Sequence, residues 1–295
     1  MQTLPRITVV TPAFRSAATI AQTIRSIVSQ DYDNFEYFVV DGAGDDTRRI
    51  LQEHDRHITW WSSEPDDGQY DAICKGFHRA TGEILFWLNA DDMLLPGALR
   101  IVGEVFAQNP GIEWLSSLAP GHFDAAGYYS GHGAIPGFSH AAFLDGYFLP
   151  GIANRGQWIQ QESTFFRKSL WDKVARPFDG VRLAGDFALW CDFQRHAELV
   201  GLTYPVSGFR HIAGQRSEDM AAYMAEARPA LEALREHFDW AEPMSARRLL
   251  RTWPFRRKAK STQRVRPSYT GKRVERARMR DPDAHWALGE HVWLP

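Results

Sequence analysis

The stretch "ILFWLNADDMLLPGAL", residues 84–99, places two adjacent carboxylates at the end of an apolar run. Ile84–Leu88 has the length and composition of a buried strand, and Asn89-Ala90-Asp91-Asp92 follows it directly. Pro96 stands where the first turn of a following helix is expected. Because an isolated charge beside a buried segment costs free energy, the pattern indicates a polar site just beyond the end of a strand.

Strands and helices are predicted to alternate on both sides of this stretch. Segments rich in β-branched and aromatic residues predict four strands, in Arg6–Phe14, Phe35–Thr47, Ile58–Glu64 and Glu83–Asp92. A helix is predicted after each strand, with boundaries marked by Ser16, by Asp46-Thr47, by Gly82, and by Pro96 with Pro110-Gly111. This alternation predicts an α/β fold with an open, mainly parallel twisted sheet flanked by helices.

Polar or conformationally special residues stand at the carboxyl ends of all four predicted strands. They are Pro12-Ala13-Phe14, Asp41, the segment from Glu64 to Gly68, and the segment from Asn89 to Asp92. Parallel strands end at one edge of their sheet, and ligands bind outside that edge. We therefore expect these residues to share one site.

The second half of the chain is less regular. Residues 123–158 are rich in glycine, aromatic residues and histidine with little periodicity, which predicts a long irregular region with a functional role. A helix is predicted in "GDFALWCDFQRHA", residues 185–197, and a strand is predicted to lead to Arg210-His211. The predicted inward positions of the helix are Phe187, Trp190, Cys191 and Phe193.

The composition is sufficient for a large buried core. The chain has 295 residues, of which 44% are hydrophobic. It contains no apolar run of transmembrane length and no secretory leader at its start, and its two cysteines, Cys74 and Cys191, lack metal-type spacing. These features predict reduced thiols and a cytoplasmic location.

Positive charge is concentrated near the end of the sequence. Residues 247–295 carry 14 lysines and arginines against four acids, whereas the rest of the chain is acidic. The segment "RRLLRTWPFRRKAKSTQRVR" interleaves basic and apolar residues, which suits a peripheral position on an anionic membrane, here the inner face of the plasma membrane. A partly disordered basic extension is the alternative. Nucleic-acid binding is a third and weaker interpretation, because no recognition fold accompanies the charge.

The acids after the strand at residues 84–88 are suited to a hard divalent cation. Asn89, Asp91 and Asp92 offer oxygen ligands of the kind that Mg²⁺ and Mn²⁺ share with a substrate phosphate. The alternative is structural, with Asp92 capping the next helix and Asp91 in a solvated turn. The local sequence leaves both interpretations open.

The chain also resembles a known family over about residues 7–217. Five ordered motifs carry the resemblance: "ITVVTPAFRSAATIAQTIRSIVSQDYDNFEYFVVDGAGDDT", "SEPDDGQYDAICKGFHRATGEILFWLNADD", "QQESTFFRKSLWDKV", "LAGDFALW" and "FRHIAGQRS". Together they are similar to the inverting nucleotide-sugar glycosyltransferases of family 2, of the type that builds bacterial cell-surface polysaccharides. The resemblance implies a GT-A fold and transfer of a hexose-like sugar to a saccharide or lipid-linked acceptor. The implied donor is a UDP-sugar, with GDP- and dTDP-sugars as alternatives.

The resemblance implies a donor-binding set along the strand ends. Asp41 matches the carboxylate that accepts hydrogen bonds from the nucleotide base, although Asp41-Gly42 could also be only a turn. The implied set is Thr11, Pro12, Ala13, Asp41, Glu64, Asp71, Lys75, Asn89 and Ala90. Two residues depart from the family pattern, Asn89 in place of the first carboxylate of an Asp-x-Asp motif and Cys74 in place of an asparagine.

The resemblance also implies a metal site and a catalytic base. Asp91 matches the metal-binding member of the Asp-x-Asp motif, and His211 is a second candidate ligand for Mn²⁺ or Mg²⁺. Asp186 matches the catalytic base. The alternatives are that Asp186 caps the helix after it and that His211 is a surface or packing residue.

Acceptor contacts are predicted in the segment after the irregular region. The candidates are Trp158, Gln161 and Glu162, whereas Trp60, Trp61 and Trp87 are expected in the core because they lie on strands. The predicted domain covers residues 1–240, with a nucleotide-binding half at 1–112 and an acceptor-binding and catalytic half at 113–240. Residues 241–295 are the predicted basic extension. The competing functions are a nucleotide-sugar-binding protein without catalysis and, less favoured, a nucleic-acid-binding protein.

Overall fold

The computed structural model describes residues 3–149, 157–175, 177–242, 268–280 and 283–294. The strands are β1 (Ile7–Ala13), β2 (Phe35–Asp41), β3 (Trp60–Ser63), β4 (Ile84–Trp87), β5 (Met93–Leu94), β6 (Trp114–Ser117), β7 (Gly121–Phe123), β8 (Tyr129–His132), β9 (Thr164–Arg167), β10 (Leu199–Leu202), β11 (Ser207–Arg210), β12 (Tyr269–Ala277) and β13 (His285–Trp293). The α-helices are α1 (Ile20–Val28), α2 (Thr47–Glu53), α3 (Gln69–Arg79), α4 (Ala98–Gln108), α5 (His140–Leu144), α6 (Lys168–Trp171), α7 (Gly185–Phe193) and α8 (Met220–His237).

The largest sheet has nine strands among the described residues, in the order β13-β12-β10-β6-β9-β4-β1-β2-β3. Most neighbouring strands are parallel. The exceptions are β9, which is antiparallel to both β4 and β6, and β13, which is antiparallel to β12. The predicted α/β fold with a mainly parallel sheet flanked by helices is confirmed.

The register of the sheet aligns the carboxyl ends of its first three strands. Ala13 of β1 pairs with Asp41 of β2, and Asp41 pairs with Ser63 of β3. β4 ends at Trp87, opposite Val10 of β1, and the acidic turn follows. The polar ends of these strands therefore lie along one edge, as predicted from parallel topology.

Helices cover both faces of the sheet. Alternate residues of a strand point to opposite faces, and Val10 and Trp87 belong to one hydrophobic cluster while Val9 and Phe86 belong to another. The first cluster includes residues of α3, α5, α7 and α8, and the second includes residues of α1, α2 and α4. The predicted inward residues of α7 are all buried, namely Phe187, Trp190, Cys191 and Phe193.

Two of the three tryptophans expected in the core are only half-buried. Trp87 on the central strand β4 is fully buried, whereas Trp60 and Trp61 are partly exposed. The reason is that β3 is the edge strand of the sheet, so its residues have a neighbouring strand on one side only.

A second sheet has four strands among the described residues, in the order β5-β11-β7-β8. It uses part of the segment 123–158, which also contains α5 and is thus more regular than predicted, while residues 150–156 lie outside the described ranges. The backbone N–H of Arg210, at the end of β11, donates a 2.9 Å hydrogen bond to Oδ1 of Asp92. This bond joins the second sheet to the acidic turn after β4.

Part of the predicted basic extension belongs to the main sheet. β12 lies parallel to β10 and forms a hairpin with β13, and Val274, Trp286 and Trp293 are buried. The boundary predicted near residue 240 therefore does not separate residues 269–293 from the domain. Residues 243–267, which include the whole interleaved basic segment, lie outside the described residues. In the ranges that are described, no helix has both the length and the hydropathy needed to cross a bilayer.

One predicted helix cap differs from the observed one. Ser16 precedes a turn, α1 begins only at Ile20, and the Ser16 hydroxyl bonds to the backbone of Phe14. This boundary shifts because turn residues compete for the same backbone donors. The predicted start of α2 at Asp46-Thr47 is confirmed, and there the carboxylate of Asp45 accepts the backbone N–H of Thr47.

Candidate active site

Asp41 lies at the end of β2 in a buried position beside β3. The Ser63 hydroxyl donates a 2.7 Å hydrogen bond to Asp41 Oδ2, while Oδ1 is buried without a hydrogen-bond partner among the described residues. Burial raises the pKa of Asp41 and the charges of Asp45 and Asp66 act in the same direction, although hydrogen bonds from the Ser63 hydroxyl and the backbone of Ala43 oppose them. A buried carboxylate oxygen without a partner is a place where a ligand N–H gains a hydrogen bond.

A groove of about 880 Å³ runs along the edge strand next to Asp41, and its lining includes Glu64 and Lys75. Glu64 is exposed, and Lys75 forms a 2.7 Å ion pair with Asp71 on the next turn of α3. This ion pair and the backbone N–H of Asp67 lower the pKa of Asp71. Three residues of the predicted donor-binding set thus lie on one rim near Asp41.

The end of β1 offers less side chain to a ligand than predicted. Thr11 is fully buried and its hydroxyl accepts a 3.1 Å hydrogen bond from Tyr37. Pro12 and Ala13 are buried as well, whereas Phe14 is 59% exposed. The Thr11 side chain therefore belongs to the core, because residues of a parallel strand face a covered side of the sheet.

Asn89, the first residue of the acidic turn, is held by three side chains. Its Oδ1 accepts a 2.8 Å hydrogen bond from Gln69, and its amide nitrogen donates to Asp92 and to Gln161, each at 3.2 Å. A carboxylate at this position could not donate, and it would repel Asp92. The side chains around residue 89 therefore suit the amide of Asn89 better than the carboxylate of the family's Asp-x-Asp pattern. Ala90 is buried next to it.

Asp91 is half-buried, and its Oδ2 accepts a 2.9 Å hydrogen bond from Gln215. His211, the second predicted metal ligand, is exposed, and its Nε2 lies 3.1 Å from Nδ1 of His122. In the described part of the chain, no group of three His, Cys, Asp or Glu side chains is placed to hold a metal ion. The residues present therefore fit an ion that Asp91 binds together with phosphate oxygens and water, as Mg²⁺ commonly is bound.

Asp92 and Glu162 form a buried carboxyl pair that the sequence did not predict. Their carboxyl groups interact with each other, and the two residues are 0% and 5% exposed. Burial raises the pKa of both groups, that of Glu162 to about 7. The interior position of Glu162 differs from its predicted contact with an acceptor. Asp92 does not cap a helix but accepts the backbone N–H of Arg210.

Asp186 lies in the first turn of α7. Its Oδ1 accepts hydrogen bonds from the backbone N–H of Phe187 at 2.8 Å and from the Tyr223 hydroxyl at 3.1 Å. Burial raises the pKa of Asp186 to about 6, against the effect of these two hydrogen bonds. A carboxyl group whose pKa is close to neutral is suited to accept a proton from a hydroxyl in a reaction.

Only one of the three predicted acceptor-binding residues is open to solvent. Trp158 is 40% exposed, and its ring packs edge-on against Tyr223, with 5.3 Å between the ring centroids. Gln161 is buried, and its amide nitrogen donates a 2.6 Å hydrogen bond to the carbonyl of Trp87. Gln161 thus contacts both the end of β4 and Asn89 of the acidic turn.

Hydrogen bonds connect the acidic turn to the loop before Asp186. Gln69, at the amino end of α3, donates to Asn89 Oδ1 at 2.8 Å. Arg216 donates to Gln69 Oε1 at 3.0 Å and also to the carbonyl of Arg182. A single site that includes Asp91 and Asp186 stays a prediction.

Comparison with known proteins identifies the class. Residues 8–138 match the family described as Glycosyl transferase family 2. The uncharacterized glycosyltransferase Rv1514c of Mycobacterium tuberculosis is 31% identical over 184 residues, which covers 59% of this chain and 63% of that protein. The GalNAc(5)-diNAcBac-PP-undecaprenol beta-1,3-glucosyltransferase of Campylobacter jejuni is 32% identical over 101 residues, 32% of this chain and 33% of its own length. The matches thus span less than two thirds of these relatives.

Solved structures share the fold. S. aureus TarS superposes with a TM-score of 0.58 at 15% identity, covering 85% of this chain and 44% of TarS. The mannosyltransferase PcManGT of Pyrobaculum calidifontis, solved with GDP-Man and Mn²⁺, gives a TM-score of 0.50 at 17% identity, covering 88% of this chain and 82% of that protein. The architecture is that of GT-A-like glycosyltransferases. The match of residues 8–138 to glycosyl transferase family 2 confirms the resemblance indicated by the motifs.

Proposed function

We propose that this protein transfers a sugar from a nucleoside-diphosphate sugar to a hydroxyl group of a saccharide or lipid-linked acceptor in bacterial polysaccharide synthesis. The observation that carries the proposal is the chain of hydrogen bonds from Asn89 through Gln69 and Arg216 to the loop before Asp186. The match of residues 8–138 to glycosyl transferase family 2 supports the same conclusion. The name of the Campylobacter jejuni relative, which includes an undecaprenol-linked saccharide, supports a lipid-linked acceptor. A Bacillus subtilis relative is named as a putative teichuronic acid biosynthesis glycosyltransferase, which supports polysaccharide synthesis.

The donor is proposed to place its base against Asp41. The unpartnered Oδ1 of Asp41 accepts a ring N–H, which uracil, thymine and guanine present and which cytosine lacks. A UDP-sugar is our first choice, with dTDP- and GDP-sugars as the alternatives. The structure of TarS with UDP-GlcNAc and that of PcManGT with GDP-Man are compatible with either kind of base.

A divalent ion is proposed to accompany the donor. Asp91 would hold Mn²⁺ or Mg²⁺ together with the diphosphate, and a bound ion of this kind neutralises negative charge on a leaving phosphate. The Nε2 atom of His211 could contribute only after losing its contact with His122. The protein's own part is to orient the diphosphate through Asp91 and the hydrogen-bonded frame of Asn89 and Gln215.

Asp186 is proposed as the general base of a single displacement. Its carboxylate takes the proton of the acceptor hydroxyl while the acceptor oxygen forms a bond to C1 of the sugar. The bond from C1 to the diphosphate oxygen breaks in the same step, and its electron pair leaves with the nucleoside diphosphate. Attack from the side opposite the leaving group inverts the anomeric configuration.

The test compares wild type with Asp186→Asn in binding and in turnover. Release of nucleoside diphosphate is followed with UDP-, dTDP- and GDP-sugars and a set of saccharide acceptors, with Mn²⁺ present. We expect turnover to fall roughly 10²- to 10⁴-fold in D186N because a general base is lost. Calorimetry should show unchanged affinity for the nucleoside diphosphate.

The matched control is Asp172→Asn, which removes an exposed carboxylate that pairs with Lys168 away from the site. It should leave both quantities unchanged. Equal losses of binding and turnover in D186N would contradict the assignment of the base. Nucleotide-sugar binding by wild type without any turnover would favour the alternative of a binding protein without catalysis.

A further inference from the structure

The loop that leads into Asp186 is held by one carboxylate of α8. Oε2 of Glu226 accepts three backbone N–H groups, those of Arg182, Leu183 and Ala184, at 3.0, 2.7 and 2.9 Å. Burial opposes ionisation, but these hydrogen bonds dominate and lower the pKa of Glu226. Charge-assisted hydrogen bonds of this kind are stronger than neutral ones, so the loop is fixed relative to α8.

A second helix fixes the same loop from the other side. The hydroxyl of Tyr70, on α3, donates to the carbonyl of Leu183 and accepts the backbone N–H of Gly185, each at 2.9 Å. A Cβ atom at Gly185 would lie 2.4 Å from the Tyr70 ring, so only glycine permits this approach. The start of α7 is thus tied to two helices before the chain reaches Asp186.

Tyr223 extends this arrangement to the carboxylate itself. It lies one turn before Glu226 on α8, is 8% exposed, and donates its 3.1 Å hydrogen bond to Asp186 Oδ1. Its ring packs against the partly exposed Trp158, the predicted acceptor contact. Helix α8 therefore binds both the backbone of the loop before Asp186 and one carboxylate oxygen of Asp186.

We propose that Tyr223 is the positioning residue of the general base, holding Oδ1 of Asp186 so that the second carboxylate oxygen is left to take the acceptor proton. The inference rests on the proposed function. Tyr223 acts through Asp186 and is not itself a catalytic residue, because the proton passes to the carboxylate and not to the phenol.

Removing the hydroxyl changes the proton affinity of Asp186 in a defined direction. The titratable groups that face Asp186 are Tyr70 from α3, Glu162 from the turn at residues 161–163, and Tyr223 from α8. The Tyr223 hydrogen bond stabilises the charged carboxylate and lowers its pKa. Without this hydrogen bond, less opposes the effect of burial, and the pKa of Asp186 rises.

The experiment uses Tyr223→Phe, which keeps the ring and its packing against Trp158. The pKa of Asp186 is measured by carbon-13 NMR of labelled aspartate carboxyl groups, with the signal assigned by its loss in Asp186→Asn. We expect the pKa in Y223F to rise by about one unit, since a hydrogen bond to a charged group contributes about 1.5 kcal/mol. The acidic limb of the turnover profile should shift by the same amount, with donor affinity unchanged.

The matched control is Tyr204→Phe, whose hydroxyl contacts Met279 Sδ at 3.1 Å, far from the base. It should leave the pKa and the pH profile as in wild type. An unshifted Asp186 signal in folded Y223F overturns the inference, as does a loss of rate that is equal at every pH. Because the NMR titration needs no substrate, it decides on Tyr223 even where wild type shows no turnover, the result that would refute the proposed function instead.

Discussion

The carboxyl groups of Asp92 and Glu162 interact with each other in the interior, where the two residues are 0% and 5% exposed. Burial raises the pKa of both groups, so near neutral pH the pair carries less negative charge than two free carboxylates would. The pair is also the largest departure from what the residues suggested, since Glu162 is buried where an acceptor contact was expected.

The first prediction concerns Glu162→Gln and stability as a function of pH. The folded pKa of Glu162 is raised to about 7, so its stabilising contribution is fully present below its unfolded pKa and is lost as pH rises through the folded value. Wild type should therefore lose stability relative to E162Q between about pH 4.5 and pH 7, by at most about 1.4 kcal/mol per pH unit. Urea unfolding of both proteins across this range measures the difference. If the difference in free energy of unfolding between wild type and E162Q is constant over this pH range, Glu162 holds no proton in the folded protein.

The second prediction concerns Asp41→Asn and nucleotide binding. The amide places a donor where Asp41 presents its buried, unpartnered acceptor, and a base N–H then meets another donor. Affinity for UDP should fall roughly 10- to 100-fold, the value of a hydrogen bond to a charged group. Calorimetry with wild type, D41N and the surface control Asp172→Asn measures this. Equal affinities for UDP in all three proteins would show that the nucleotide base binds away from Asp41.

The third prediction separates the two candidate metal ligands. Asp91→Ala should abolish the increase in donor affinity that Mn²⁺ gives to wild type, because Asp91 is the carboxylate placed to share an ion with the diphosphate. His211→Ala should keep most of that increase, since the His211 ring contacts His122. Calorimetric titrations of UDP with and without Mn²⁺ provide both numbers. The assignment fails if D91A retains the metal effect and H211A loses it.

The fourth prediction concerns Glu226→Gln. The folded pKa of Glu226 is lowered, so its contribution to stability is present above the unfolded pKa and is lost as pH falls through the folded value. E226Q should be less stable than wild type by about 1 kcal/mol at pH 7, because neutral hydrogen bonds replace charge-assisted ones. The difference should vanish in acid.

The control for that prediction is Glu236→Gln on the same helix. The Glu236 side chain is exposed, and surface substitutions of this kind usually change stability by less than about 0.5 kcal/mol. Urea unfolding at pH 7 and at acid pH should find E236Q close to wild type at both values. An E226Q variant that behaves like E236Q would mean that the loop before Asp186 does not depend on Glu226.

Much of the first half of the fold follows from local pattern. β1, β2 and β4 lie in long apolar or β-branched runs because parallel strands are covered on both faces, and the acids stand at their ends because that edge is open. The apolar spacing that predicts α1, at Ile20, Ile24 and Ile27, corresponds to its buried face. Residues that are close to one another in the sequence determine these features.

Other features depend on contacts between residues distant in sequence. No periodicity near Glu162 indicates that Asp92 is its partner, and nothing local to Asp186 reveals Tyr223. The C-terminal hairpin was not predicted, because the basic residues of β12 dominate the charge of this segment. Tyr269 and Val274 supply the buried side of β12. Charged and apolar residues alternate along part of Tyr269–Ala277, which is typical of a strand with one buried face, and this was the signal available in the sequence.

The central claim is that acids from separate strand ends form one site for a nucleoside diphosphate. A crystal structure of the protein with UDP and Mn²⁺ tests it most directly. We predict the ring N–H of the base within hydrogen-bonding distance of Asp41 Oδ1, and the diphosphate beside Asp91 with Asp186 facing the same cleft. A nucleotide bound away from Asp41 and Asp91, at another surface of the sheet, would contradict the account.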